Sequence, residues 1–318
     1  MLKSAIGKEI IKRDRGLFSK LLIYTNLFLF HRNNRRRVIH PGNIDPDKYY
    51  YVIRPNGKAE GLLSCWFGVL YRITWAYENG YIPYVDFSGD YKDYCQYYVD
   101  RKVAGTNNAW EYYFTQPTVL SREELYQKKN VILGGWKLGK EETCKDHRIT
   151  SKYVKLIKER NHIKKIVDQK ENALFSNDKV LGVFIRGTDY VSIRPKNHPV
   201  QPSVFEMIEK VNEVVERFNI NKIYLVTEDK SYYTELKAVF GDKILTLYDT
   251  YVEYKEGELL QELLEDDPYE RGLHYLVRVL LLNRCRFLVS SVASGSKFAK
   301  AIRDKEPEYE YWFELGEY

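Results

Sequence analysis

The stretch VLGVFIRGTDYVSIRPKNHP, Val180 to Pro199, decides how the rest of the chain is read. A continuous apolar run ends there abruptly in an arginine, a glycine, a threonine and an aspartate. The run predicts a buried strand that delivers a charged cluster to its carboxyl end. In open α/β sheets, ligands bind in the crevice beyond the carboxyl ends of the strands, and an arginine placed there clamps a phosphate through two parallel hydrogen bonds. The cluster therefore points to a phosphate-bearing ligand. The plainer reading is that Arg186 is the first solvated residue after a strand and pairs with Asp189.

Two further units favour the ligand. NKIYLVTEDKSYYTELKAVFG (Asn221 to Gly241) places the strand Ile223 to Val226 before TEDKS and a helical pattern. LLLNRCRFLVSSVASGSKFAKAI (Leu280 to Ile302) runs from a helix end through the strand Phe287 to Ser290 into small hydroxyl residues and Gly295, after which Phe298 to Ile302 turn helical. Helix N-termini lined by Ser and Gly are anion sites, because their free amides and the macrodipole favour negative charge.

These motifs carry a resemblance. The arginine-bearing strand end, HP at His198 and Pro199, the TED strand end, RG at Arg271 and Gly272, and FLVSSVASGS follow one another as do the three motifs of the GDP-fucose-dependent fucosyltransferase superfamily. The chain resembles in particular the α1,6-fucosyltransferases and their bacterial nodulation relatives, over roughly residues 178 to 302. The resemblance implies an α/β, GT-B-like fold of two Rossmann-like domains facing across a cleft. It implies an inverting, metal-independent glycosyltransferase that uses GDP-fucose and needs no cofactor. Arg186 then grips the β-phosphate and stabilises the departing diphosphate, and Gly187 and Thr188 belong to the same donor-binding turn. Asp189 sits near the donor sugar. Asp249, after KILTLYD, falls where the family's aspartate accepts hydrogen bonds from guanine. Ser291, Ser294 and Gly295 supply hydroxyls and amides to the diphosphate.

The chain departs from the family at three points. Phe184 stands where the family has a histidine and Gly187 where it has a second arginine, so one phosphate clamp is lost or replaced. Tyr190 and Arg194 stand where the α1,6 enzymes have a lysine and an acid, so their candidate base does not transfer. Asp189 is the first choice of base. Glu228 and Asp229 are alternatives, although both suit a helix cap and first turn better. His198 is another, although a histidine before proline in a loop is more often structural.

Composition is consistent with this. The 318 residues, 44% hydrophobic, suffice for two domains with real cores. The 28 tyrosines provide flat rings with polar tips of the kind on which sugars stack. Cys65, Cys95, Cys144 and Cys285 lack paired spacing, which supports neither a zinc site nor a disulfide framework and points to a reducing cytoplasm.

Residues 1 to 37 carry ten Lys or Arg against Glu9 and Asp14, a net of +8, so the remainder of this +6 chain is −2. Within them, GLFSKLLIYTNLFLFHR (Gly16 to Arg32) is too short between charges for the roughly 20 apolar residues of a bilayer span. It reads either as a peripheral helix on the anionic inner leaflet or as a core helix with a basic end. No cleavable signal is expected, and no nucleic-acid motif accompanies the charge.

After the linker His40 to Lys48, the strand YYYVIRP, a glycine turn, an amphipathic helix and a strand at Ile82 to Phe87 predict a βαβ unit. It lacks G-x-G-x-x-G, which argues against a nicotinamide enzyme. DPD at Asp45 to Asp47 reads as a turn and not as a metal motif. Trp110, Tyr112, Tyr113 and Trp136 offer an acceptor platform, although local packing is the commoner fate of clustered rings. Ser151 to Ser176 predicts a charged-faced helix bridging the halves. The expected division is a basic segment 1–40, an acceptor domain 41–170 and a donor domain 171–318. The expected partners are a nucleotide sugar, a glycan acceptor and an inner-leaflet surface, and not nucleic acid. The alternatives are another nucleotide-sugar transferase of the same fold, a non-catalytic carbohydrate- or nucleotide-binding module, and a membrane scaffold.

Overall fold

The computed structural model describes residues 36–55, 61–135, 142–176, 178–187, 189–248, 251–252 and 267–318, without the side chains of residues 92–94, 189 and 192. Of the basic segment 1–40 that the sequence offers to a membrane surface, residues 1–35 lie outside these residues. Among the described residues, no helix is long and apolar enough to cross a membrane.

The first half is built on the predicted βαβ unit. Strands β1 (Arg37–Ile39), β2 (Ile44–Ile53), β3 (Ile82–Val85) and β4 (Lys128–Leu133) form a sheet in the order β1-β4-β2-β3. β2 runs parallel to both neighbours, with Tyr50 opposite Ile82 on one side and Val131 on the other. β1 is antiparallel at the edge, Arg37 facing Leu133, in the basic segment 1–40 where the sequence predicts no strand. Helix α1 (Leu62–Glu78) joins β2 to β3 and buries Leu62, Leu63, Trp66, Val69, Leu70 and Ile73, a stripe at three- and four-residue spacing. The DPD turn falls within the bounds of β2, where the register shifts between Ile44 and Tyr49 and Asp45 has a φ of 53°. The Asp45 carboxylate accepts from Tyr50 at 2.7 Å and from Lys128 at 2.9 Å, so it ties β2 to β4.

The predicted bridging helix is shorter than its periodicity. Only Asn161–Leu174 forms α2. Upstream, Lys158 accepts from the Thr115 amide at 2.8 Å and Glu159 bridges Phe114, so the chain is drawn into extended pairing and cannot yet coil.

The second half contains β5 (Val180–Phe184), α3 (Val204–Phe218), β6 (Lys222–Val226), α4 (Lys230–Phe240), β7 (Ile244–Leu245), α5 (Pro268–Leu282), β8 (Phe287–Ser291), α6 (Ser294–Ala301) and β9 (Tyr309–Phe313). All pairings are parallel, in the order β7-β6-β5-β8-β9. Counted within this half, that is 3-2-1-4-5, the Rossmann arrangement. All five residues of β5 are buried, as befits a central strand covered on both faces.

The halves share one core. Trp66 of α1 meets Phe298 of α6 edge-on at 4.9 Å, and Phe114 lies 6.2 Å from Phe298. Tyr113 donates to the Tyr269 carbonyl at 2.9 Å, and Arg101 pairs with Asp267 at 2.6 Å. Of the two readings of the aromatic cluster, local packing holds and the acceptor platform does not: Trp110, Tyr112 and Tyr113 are at most 2% exposed and build this junction. Burying each such ring stabilises the fold by about 1.5–3 kcal/mol, more than an exposed stacking surface would contribute to folding. Trp136 lies outside the described residues.

Candidate functional site

The order 3-2-1-4-5 reverses direction between β5 and β8, so the loops leaving those two strands diverge and open a crevice at their carboxyl ends. Arg186 follows β5, Glu228 and Asp229 follow β6, and Ser294 and Gly295 follow β8. The fold thus brings together residues up to 109 positions apart.

The Arg186 amide donates to Ser291 Oγ at 3.1 Å, which clamps the β5 loop to the end of β8. Arg186 Nη1 lies 2.9 Å from Glu228 Oε1, and the guanidinium stands 5.2 Å from the centre of the Tyr190 ring. Glu228 is buried at the end of β6. Asp229 caps α4, accepting from the amides of Ser231 at 2.9 Å and Tyr232 at 3.3 Å. A Cβ on Gly187 would overlap the Asp229 carboxylate, so a bulky second arginine does not fit at this position.

Beyond β8, Ser294 and Gly295 open α6, whose first turn presents amides without intrahelical acceptors. A Cβ on Gly295 would lie 2.5 Å from the Tyr275 hydroxyl and 2.9 Å from the Phe184 ring. Phe184 therefore packs against the glycine, which gives a physical reason for an apolar ring there. Burial pushes the Tyr275 phenol up to about 12, with nearby Arg186 pulling the other way, so it is a neutral hydroxyl at physiological pH.

Three contributors were missed in the sequence. Ser296 Oγ donates to the Ser291 carbonyl at 2.7 Å and accepts from the Ala293 amide at 3.0 Å, which shapes the turn before α6. Tyr275 and Arg278 enter from α5, Arg278 donating to the Thr227 carbonyl at 3.4 Å. Their spacing of three residues, which places both on one helix face, was the available signal.

Some expected residues are absent from the cluster. His198 packs edge-on against Tyr190 at 5.3 Å, and its carbonyl accepts from the Tyr318 amide at 3.0 Å, tying its loop to the last residue of the chain. Arg271 of the RG pair instead reaches the Gln96 carbonyl at 3.3 Å across the junction of the halves. Thr188 and Asp249 lie outside the described residues, as does the side chain of Asp189, whose backbone opens the short helix Asp189–Ser192. On either side of positions 249 and 250, Tyr248 stacks on His274 at 3.8 Å and Tyr251 on Tyr233 at 4.2 Å. Among the described residues, no group of three or more His, Cys, Asp or Glu is arranged to hold a metal ion.

No protein-family model matches the sequence, and no curated protein matches it. Among solved structures, the apo form of POFUT1 superposes with a TM-score of 0.53 at 11% identity, over 85% of this chain and 99% of that one. POFUT1 is also known in complex with GDP and with GDP-fucose. NodZ alpha-1,6-fucosyltransferase co-crystallised with GDP gives 0.48 at 13% identity, over 80% and 93% of the two chains, and NodZ from Bradyrhizobium gives 0.47 at 12%, over the same shares. What the chain shares with POFUT1 is the fold. The α/β, GT-B-like architecture and the resemblance to GDP-fucose-dependent fucosyltransferases thus stand at the level of the fold.

Proposed function

We propose that this chain is a fucosyltransferase-like glycosyltransferase, transferring fucose from GDP-fucose to a glycan acceptor of a bacterial surface or secreted polysaccharide. One observation carries the reading: Arg186, the Ser291 hydroxyl and the N-terminus of α6 converge at the switch point of a Rossmann-ordered sheet. A cation, hydroxyls and free amides there suit the diphosphate of a nucleotide sugar.

In the proposed reaction the acceptor oxygen attacks the anomeric carbon as the bond to the β-phosphate oxygen breaks, and the configuration inverts. The electron pair of that bond departs with GDP, where Arg186 and the α6 amides offset the developing charge. The acceptor proton passes to a base. Asp229 is engaged by helix amides and Glu228 by Arg186, and Asp189 remains the base we propose. The donor half is residues 171–318, the acceptor half 41–170, and residues 1–37 hold the enzyme to the cytoplasmic face of a membrane. No metal takes part in this scheme.

The test is calorimetric titration with GDP-fucose, GDP and UDP, without metal. GDP ligands are expected to bind and UDP not. Tighter binding of UDP would move the donor to another nucleotide sugar, and binding of neither would leave only a shared fold.

A further inference from the structure

A second recess lies at the opposite end of the C-terminal sheet. Residues 284–286 immediately precede β8 and residues 303–308 precede β9, so in a parallel sheet they mark the amino edge, away from Arg186 and Ser291. A cavity of about 1020 Å³ opens there, a size suited to a nucleotide or a short oligosaccharide. Its walls come from both halves and from the helix between them.

Trp66, Phe114 and Phe298 pack beneath it, each at most 2% exposed, so the surface open to a ligand is that of the rim. Trp66 Nε1 is a buried donor with no acceptor, an arrangement that proteins rarely leave unsatisfied. The rim is basic. Arg284 pairs with Asp168 and Glu171, Arg286 with Glu308, and Arg303 with Glu306 and Glu310. Lys155, Lys158, Lys164 and Lys305 make no ion pair among the described residues, and of the lining acids only Glu159 and Asp304 are likewise unmatched. Over all the lining residues, seven basic against five acidic side chains leave a net charge of +2.

We infer that this cavity is a second ligand site, for a phosphate-bearing small molecule whose phosphates meet the lysines of the rim. Lysine ammonium groups are compact charges that bind phosphate without demanding a fixed geometry, and here they stand on separate segments around one opening. The site does not depend on the transferase reading.

The test uses inorganic pyrophosphate as probe and the full chain carrying Arg186→Ala, which removes the anion clamp of the crevice. Calorimetry is expected to show pyrophosphate binding to this variant. That binding should weaken by about tenfold or more when Lys158→Glu and Lys164→Glu are added, through reversal of two rim charges. The same two reversals on the otherwise native chain should leave GDP affinity unchanged, which also reports that the fold is intact. Absence of pyrophosphate binding to Arg186→Ala, or binding indifferent to the lysine reversals, overturns the inference. If GDP fails to bind the native chain while lysine-dependent pyrophosphate binding persists, the transferase reading falls and this site stands.

Discussion

Arg186 Nη1 and Glu228 Oε1 lie 2.9 Å apart across the ends of two adjacent strands, with side chains only 17% and 11% exposed. The group best placed to hold a phosphate is thus already engaged by a carboxylate of its own chain. In the proposed function, a diphosphate entering the crevice would exchange with Glu228 for the guanidinium, and the strength of donor binding would be the difference between two charge-assisted contacts.

Removing the cation should be nearly silencing. Arg186→Ala is expected to lower transfer by about 10²–10³-fold, the range seen when one prepositioned donor to a developing anion is lost. Transfer rate and GDP affinity measure it together, and retention of both would remove Arg186 from the site.

Removing the competitor should act in the opposite direction. Glu228→Gln keeps the size of the side chain and abolishes its charge, so GDP is expected to bind about three- to tenfold more tightly, equivalent to roughly 1 kcal/mol. A calorimetric titration that found weaker binding would instead make Glu228 a contributor to ligand contact.

Gly295 is held by its neighbours. Gly295→Ala drives a methyl into the Tyr275 hydroxyl at 2.5 Å and against Phe184, and is expected to destabilise the fold by about 1–3 kcal/mol. Adding Tyr275→Phe deletes the nearest atom. In a double-mutant cycle read by denaturant unfolding, the pair should recover part of the loss, whereas strict additivity would place the strain elsewhere.

Acid stability should depend on Glu310. Burial pushes its carboxyl up, but hydrogen bonds from Arg303 and Lys300 outweigh burial and hold it at about 2. Since the folded value lies below the unfolded one of roughly 4.3, the unfolded chain takes up the proton first as pH falls. The stabilisation is therefore complete above about pH 4.5 and is lost from there down to about pH 2. Glu310→Gln should flatten the fall of Tm across this window; an unchanged slope would show that the pairs with Arg303 and Lys300 stabilise nothing.

Local pattern determined a good deal. Apolar runs such as Val180–Ile185 and Ile223–Val226 declare strands because a strand buried on both faces admits few polar residues, and the polar clusters after them mark strand ends. The βαβ unit at Tyr50–Val85 and the helix cap at Asp229 were equally legible, since both depend on neighbours within a few residues. Only the tertiary structure decided the rest. Which strands lie side by side, and hence that Arg186 meets Glu228 and Ser291, depends on pairings more than 40 residues apart that no period encodes. The aromatic run Trp110–Phe114 reads in the sequence as packing without a stated partner, and the fold supplies the partners: Phe298 of α6 for Phe114 and Tyr269 of α5 for Tyr113. Periodicity over Ser151–Lys158 was likewise overruled by pairing with Thr115. A side chain's hydrophobicity states that it will be buried, while the partner that buries it is chosen by the whole chain.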